Sequence, residues 1–144
     1  MISRTIRFRV QQAGNREREA NGRLMEPAGR EHATLLYEQM RVTLGKPAPP
    51  WEEEGYAWEF TGKYAGVWLR FITGAYEDQM MVQVSACSPV AWMFKKRSEQ
   101  AVSEAAALAA SILRADPQIG NVVVLTEEDV KREVETAQDE RHKV

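Results

Sequence analysis

The central stretch YAWEFTGKYAGVWLRFITGAYEDQMMVQVSAC, residues 56–87, decides the fold because apolar and polar side chains alternate along most of it. Alternation of this kind is the pattern of a β-strand with one buried face. Turn-sized breaks interrupt it at 62–65 and 74–78. The stretch therefore predicts an antiparallel meander of three strands, at about 56–61, 66–73 and 79–87.

The pairing of these strands follows from burial, because a slip of one residue turns a strand's apolar side chains from the core to water. Placing Trp58 near Leu69, and Leu69 near Val82, brings these residues and Tyr56 to one face. Fully burying each such side chain contributes roughly 1.5–3 kcal/mol to stability. We expect helices to pack on this inward face.

Segments on either side of the meander predict further elements. Residues 2–10 alternate arginine with apolar residues, and 121–125 contain three consecutive valines, so both segments are predicted strands. Apolar residues at helical spacing predict helices at about 30–44 and 98–114, and a thinner apolar stripe predicts a charged helix at about 127–139. The class is therefore α+β, a mainly antiparallel sheet with the first two helices on one face.

Local signals refine these boundaries. Ser98 is the expected N-cap of the second helix, and Thr126 with Asp129 has the form of a capping box at the start of the third. Residues 45–55 hold three prolines and an acidic run, which predicts a surface loop. The alternating residues 90–94 predict either a further strand or an extended crossing.

The length of 144 residues suits one domain, and we expect a single domain over residues 1–144. Residues 11–29 carry few large apolar side chains, so residues 1–29 are predicted to be a strand and a loosely attached loop. The order of helix, meander and helix over roughly 30–115 is similar in outline to small acidic secretion chaperones and related dimeric adaptors. This resemblance in element order implies a protein-binding role by analogy alone.

Charge is nearly balanced overall but uneven along the chain. The formal net charge is -2 and the pI is about 5.8, so the whole chain offers no electrostatic case for binding nucleic acid. Residues 1–30 carry seven arginines against three glutamates, whereas 98–144 carry five basic and ten acidic side chains. Separate solvated surfaces are the favoured interpretation. The alternative is a convergent basic patch made of Arg4, Arg7, Arg9, Lys95, Lys96 and Arg97.

The single cysteine, Cys87, excludes an internal disulfide and is expected to be a small core residue of a strand. No run of about 18 apolar residues occurs, and the first ten residues lack the apolar stretch of a signal peptide. We therefore expect no membrane association and a cytoplasmic location.

Side chains suited to catalysis or metal binding are few. His32 has no second ligand three or four residues along its predicted helix, so it is expected to be an exposed polar residue of the first turn. The acidic run 52–54 lacks the spacing of a calcium site. No nucleotide-binding or hydrolase motif occurs. We expect no metal, no cofactor and no catalytic residue, and an enzyme is the less favoured class.

The outward face of the meander carries the residues expected to bind a partner, because it is too polar for a second core and too apolar for plain solvent. Trp, Met and Arg are also enriched in interface cores. The candidates are Trp68, Arg70, Ile72, Met81, Glu59 and Gln83. Trp68 is expected at the centre, flanked by Glu59 and Gln83, with Glu59 and Arg70 paired at the rim. The alternative is that residues 2–10 or the C-terminal helix cover this face.

Three functions remain open. The leading one is a non-catalytic protein-interaction module, such as an adaptor, a chaperone-like protein or an inhibitor of a partner protein, that forms a homodimer through a sheet face or edge. The second is a small-molecule binder or small enzyme with a pocket between the sheet and the loops of Trp51 and Trp92. The third is a nucleic-acid accessory protein that uses the basic residues named above.

Overall fold

A computed structural model describes residues 2–10, 28–53, 55–88 and 91–142 of the chain. These residues form a six-stranded antiparallel sheet with helices packed on it, which confirms the predicted α+β class. The strands are β1 (Ser3–Val10), β2 (Gly45–Glu53), β3 (Ala57–Tyr64), β4 (Val67–Tyr76), β5 (Gln79–Ala86) and β6 (Ile119–Thr126). The helices are α1 (Arg30–Met40), α2 (Lys95–Arg114) and α3 (Glu127–His142), with a short 3-10 helix at Ala91–Phe94. Residues 11–27 of the predicted loop 11–29 lie outside the described residues.

The strands follow the order β2-β3-β4-β5-β1-β6 across the sheet. The meander β3-β4-β5 is therefore confirmed, and the N-terminal strand β1 lies between β5 and β6 rather than at an edge. Every neighbouring pair is antiparallel. The two edges of the sheet are β2 and β6.

The register of the meander differs from the predicted one by four residues. Tyr64 pairs with Val67 across the two-residue loop Ala65–Gly66, in which both residues have positive φ, 49° and 82°. Positive φ at both positions suits a two-residue hairpin because it matches the twist of the strands. Leu69 consequently lies opposite Gly62 and Ala86, not opposite Trp58 and Val82. Because four is an even number, the inward face is the predicted one.

The core lies between the inward face and helices α1 and α2. Its largest fully buried side chains include Phe8, Phe60, Phe71 and Leu69. The rings of Phe60 and Phe71 stack at 4.5 Å between centroids, with 6° between their planes. Helix α2 approaches the sheet closely because the residues that it buries are mostly small: Ser98, Ala101, Val102, Ala105, Ala106, Ala109, Ala110 and Leu113.

Two aromatic residues predicted for the core do not reach it. Tyr56 precedes β3 and is exposed, and Trp58 is only half-buried. Trp58 lies opposite Thr73 instead of Leu69, and its ring is 5.5 Å from the guanidinium carbon of Arg30. The four-residue change of register moves this end of β3 away from the centre of the core.

The prediction of a surface loop at 45–55 is wrong for most of that segment, because Gly45–Glu53 forms the edge strand β2. Proline is tolerated at an edge, where a missing N–H need not break a ladder. The pairing with β3 is irregular, with register shifts on both sides of Ala48, among prolines 47, 49 and 50. The prolines therefore exclude a central strand but not an edge strand. Residue 54, in the acidic run, lies outside the described residues.

The segment before α2 also differs from its prediction. Ala91–Phe94 forms a 3-10 helix rather than a strand or an extended crossing, and residue 90 lies outside the described residues. The helix α2 begins at Lys95, so Ser98 is not its N-cap. Ser98 is buried, and its hydroxyl donates a hydrogen bond to the Ala91 carbonyl at 3.1 Å.

The other helices lie close to their predicted ranges. Helix α1 ends at Met40, four residues early, although Leu44 remains buried in the core. The capping box of α3 is confirmed: the Thr126 N–H donates to the Asp129 carboxylate at 2.9 Å, and the Asp129 N–H donates to the Thr126 hydroxyl at 3.2 Å. The hydrogen bond from the Thr126 N–H lowers the pKa of Asp129 because it stabilises the charged carboxylate, and the Thr126 hydroxyl acts in the same direction. Helix α3 then continues to His142, three residues beyond the predicted end.

Candidate functional site

The six outward-facing candidates share one face of β3, β4 and β5, but their arrangement is not the predicted one. Glu59, Ile72 and Gln83 form one cross-strand row, so Ile72 rather than Trp68 is flanked by Glu59 and Gln83. Trp68 lies opposite Lys63 beside the β3–β4 hairpin, with the Lys63 ammonium 5.6 Å from its ring. The same four-residue change of register moves Trp68 from the centre of the face to its end.

Glu59 and Arg70 form an ion pair across β3 and β4, diagonally as predicted. The pair does not lie at a rim, because Glu59 is only 5% exposed. Arg70 is partly exposed, and on the other side of β3 Trp51 of β2 lies opposite Glu59. The outward face therefore contains a buried charge whose described partner is one arginine.

The C-terminal helix covers part of the outward face. Helix α3 contacts β1 and β6, and Glu133 on α3 forms an ion pair with Arg7 on β1. The Arg7 guanidinium carbon also lies 4.8 Å from the centre of the Tyr76 ring. Residues 2–10 do not cover the face, because they form β1 within the sheet. On β4 and β5, the outward residues Trp68, Ile72, Met81 and Gln83 remain partly exposed.

The two tryptophans predicted to form one pocket lie far apart. Trp51 is on edge strand β2, where its indole N–H donates to Glu53 at 3.2 Å. Trp92 lies in the 3-10 helix and borders a cleft beside β1 and β6. The strands β2 and β1 are four strand spacings apart, about 19 Å. No shared pocket follows from this placement.

The cleft beside Trp92 has a volume of about 570 Å³ and a mixed lining. Its lining residues come from the start of β1, the 3-10 helix, the first turns of α2 and α3, and the end of β6: Ile2, Arg4, Trp92, Lys95, Glu99, Thr126, Glu127 and Glu128. Glu127 already accepts a hydrogen bond from the Ser3 N–H at 2.7 Å, and Lys95 lies 4.0 Å from Glu99. The charges of the cleft therefore largely compensate each other.

The most exposed apolar side chains of the molecule include those of the 3-10 helix above this cleft. Trp92, Met93 and Phe94 are 74%, 58% and 57% exposed. The turn that carries them is fixed at its base, because the Ala91 N–H donates to the Ser88 carbonyl at 3.1 Å and Ser98 binds the Ala91 carbonyl. The sequence did not reveal this surface because the alternation within 90–94 predicts a further strand or an extended crossing, not a 3-10 helix. Lys95, Lys96 and Arg97 immediately afterwards were the available signal of exposure.

The predicted basic patch is distributed over different parts of the described structure. Arg4 and Lys95 border the cleft, whereas Arg7 and Arg9 project from the opposite face of β1 and pair with Glu133 and Asp78. Arg97 donates to the Ala65 carbonyl at the β3–β4 hairpin, and Lys96 is exposed on α2. The arginines at 16, 18 and 23 lie outside the described residues.

His32 and Cys87, whose side chains are chemically reactive, occupy environments opposite to those predicted. His32 is buried, not exposed, and its ring meets Phe8 edge to face at 5.2 Å between centroids. Burial lowers the pKa of His32, while the nearby carboxylates of Glu31 and Asp116 oppose that shift. Cys87 is exposed, not a core residue, because β5 ends one residue before it.

Metal binding and membrane insertion find no support in the described part of the chain. There, no group of three or more His, Cys, Asp or Glu side chains is arranged to hold a metal ion. Among the same residues, no helix combines the length and hydropathy that a membrane crossing requires. Comparison with family models, curated proteins and solved structures finds no match for this chain. Any function must therefore be argued from the surface features themselves.

Proposed function

We propose that this protein is a non-catalytic protein-interaction module and that the 3-10 helix Ala91–Phe94 anchors its partner. The observation that carries the proposal is the exposure of three consecutive large apolar side chains, Trp92, Met93 and Phe94. Exposed apolar clusters mark interaction sites, and tryptophan in particular is enriched among the residues that dominate binding energy. Burying these side chains against a partner would remove their apolar area from water.

The surroundings of the 3-10 helix support this role. The hydrogen bond from Ser98 holds the base of the 3-10 helix in place, so binding a partner costs little conformational entropy there. Charged residues of the adjacent cleft, including Arg4, Lys95 and Glu128, lie beside Trp92. An apolar centre with a polar rim is the usual anatomy of a protein interface. The exposed thiol of Cys87 favours a reducing compartment such as the cytoplasm as the setting of this interaction.

The test measures whether partner binding depends on the 3-10 helix. The intact chain is used to capture a partner from its native lysate, and the affinity of the identified partner is then measured by calorimetry. We expect Trp92→Ser and Phe94→Ser each to weaken binding at least tenfold, about 1.4 kcal/mol. Val42→Ser is the matched control, because Val42 is 83% exposed in the connection between α1 and β2.

Two results would overturn the proposal. One is a partner whose affinity is unchanged by both substitutions in the 3-10 helix. The other is a loss of binding that Val42→Ser reproduces, since that would show a general effect of removing surface apolar groups. Circular dichroism of each variant checks that the fold is retained, which the exposure of all three side chains leads us to expect.

A second candidate function, binding of a small molecule, rests on the cleft beside Trp92. Its volume of about 570 Å³ lies within the range of small-molecule sites. A ligand bound there would raise the melting temperature of the intact chain but not that of Trp92→Ser. A ligand that stabilises both proteins equally would not occupy this cleft.

A further inference from the structure

We infer that edge strand β6 pairs antiparallel with β6 of a second copy, so that one twelve-stranded sheet runs through a homodimer. This inference assigns a specific surface to the self-association expected of the proposed interaction module. It depends on the proposed function in one respect only, because the dimer is taken to serve that function. The surface is distinct from the 3-10 helix, so the two proposals can fail separately.

Strand β6 has the properties of an edge open to pairing. It pairs with β1 on one side, and in the described structure no strand lies on its other side. Its sequence, IGNVVVLT, has no charged residue, and its centre consists of β-branched valines. Val123 is 48% exposed and Val124 is 37% exposed. These two valines project to opposite faces of the sheet, because Val123 lies opposite Arg7 and Val124 opposite Ile6.

The opposite edge of the sheet is built in the contrary manner. Strand β2 carries three prolines, Lys46, Glu52 and Glu53, and its register is interrupted on both sides of Ala48. Prolines, charges and bulges are the devices that prevent an edge from adding a further strand. Strand β6 has neither proline nor charge, and its one irregularity is a bulge, where β6 holds one residue more than β1 between the pairs Arg7–Val123 and Arg9–Gly120 and where Asn121 has φ 53°. The sheet can therefore grow at β6 but not at β2, and growth stops at two copies.

A second copy suits β6 because antiparallel pairing about a twofold axis is self-complementary. Arg114 donates to the Val122 carbonyl at 3.2 Å, which occupies one acceptor near the register shift. With the axis normal to the sheet at Val123, Val123 lies opposite its own copy. Val122 then lies opposite Val124. No charged residues of β6 lie opposite each other in such pairing, because the strand contains none, and β-branched side chains in register are favourable cross-strand pairs.

The first test is the concentration dependence of mass in sedimentation equilibrium of the intact chain. We expect a monomer–dimer equilibrium that Val123→Lys weakens at least tenfold, because two lysines would then lie opposite each other on the axis. Val42→Lys, the control, should leave the equilibrium unchanged. A chain that stays monomeric at every concentration overturns the inference, as does a dimer that Val123→Lys does not weaken.

The second test locates the axis by disulfide cross-linking in a Cys87→Ser background. Residues directly opposite each other in an antiparallel pair have Cα atoms about 4.5–5.5 Å apart, which is within the range of a disulfide. On mild oxidation, Val123→Cys should form a cross-linked dimer faster than Val42→Cys. Equal rates at the two sites would overturn the pairing through β6.

The result also separates this inference from the proposed function. Trp92→Ser should leave dimer formation intact while it weakens partner binding. If Trp92→Ser abolishes the dimer and Val123→Lys does not, the second copy binds at the 3-10 helix and the β6 inference is wrong. If the chain is monomeric but loses its partner on Trp92→Ser, the proposed function stands and the β6 inference fails.

Discussion

The inward and outward faces of the same three strands show how differently one alternating sequence is used. On the inward face, Phe60, Leu69 and Phe71 are fully buried under α1 and α2. On the outward face, Glu59 is buried beside Arg70, while Trp68 and Ile72 stay partly exposed. Alternation assigns each residue to a face, and helices α1 and α2 pack on the more apolar face to form the core. The outward face therefore keeps accessible surface that other molecules can contact.

The largest expected effect is the difference in stability loss between substitutions of Leu69 and Trp68. These neighbouring residues project to opposite faces of β4. Leu69→Ala should lower the free energy of unfolding by about 2–5 kcal/mol, because it leaves a cavity in a packed core. Trp68→Ala removes a larger side chain but should cost only about 1 kcal/mol, because its contacts are cross-strand contacts at the end of a face. Urea denaturation of both variants measures the difference.

The ordering of these two losses is the decisive result. A larger loss for Trp68→Ala than for Leu69→Ala would mean that the outward face is packed like the core. The contrast between the faces would then be wrong. Ile72→Ala serves as the matched aliphatic control on the outward face, and its loss should also be smaller than that of Leu69→Ala.

An intermediate effect is expected from the ion pair on the outward face. Arg70→Met should destabilise the fold by about 1–3 kcal/mol, because it leaves the buried Glu59 carboxylate without the arginine. The double variant Glu59→Leu with Arg70→Met should recover part of this loss, because no unpaired charge then remains in the sheet. Urea denaturation of the single and double variants tests both statements. An unchanged free energy of unfolding in Arg70→Met would show that water solvates the Glu59 carboxylate as well as Arg70 does.

The smallest effect concerns pH and the buried His32 on the inward side. Because burial lowers the pKa of His32, the unfolded chain binds the proton more readily than the folded chain. Stability should therefore fall as pH decreases below about 6.5, the ordinary histidine value, toward the lowered folded pKa. His32→Leu should reduce this pH dependence in denaturation curves at pH 7.5 and 5.5. An unchanged dependence would assign the acid sensitivity to other groups.

Much of the fold could be predicted, and the errors have identifiable causes. The alternation of 56–87 predicted the meander and its faces correctly, and the Thr126–Asp129 capping box was confirmed. The register was wrong because alternation fixes only odd or even pairing, whereas the Ala65–Gly66 hairpin fixes the actual partner. The strand β2 was missed because prolines forbid a central strand but permit an edge, and a local sequence does not say which position a strand takes.

The candidate surfaces were less predictable than the fold. The six outward residues were assigned to the correct face, but Trp68 lies at its end because of the register. The prediction for the exposed 3-10 helix was a strand or an extended crossing, and it was wrong because a segment as short as 90–94 does not distinguish these structures by periodicity. Burial at His32 depends on neighbours distant in sequence, such as Phe8, so it could not be predicted from the residues around it. The exposure of Trp92 had a local signal in Lys95, Lys96 and Arg97.

The sequence by itself determined the class of this protein, the inward face of its central strands and the cap of its last helix, because these depend on local periodicity and local hydrogen bonds. Only the tertiary structure decided that β1 lies between β5 and β6, which leaves β2 and β6 as the edges. It also decided that α3 covers only part of the outward face and that Trp92 stands clear of the core. Those features depend on contacts between distant segments, which a local pattern does not specify.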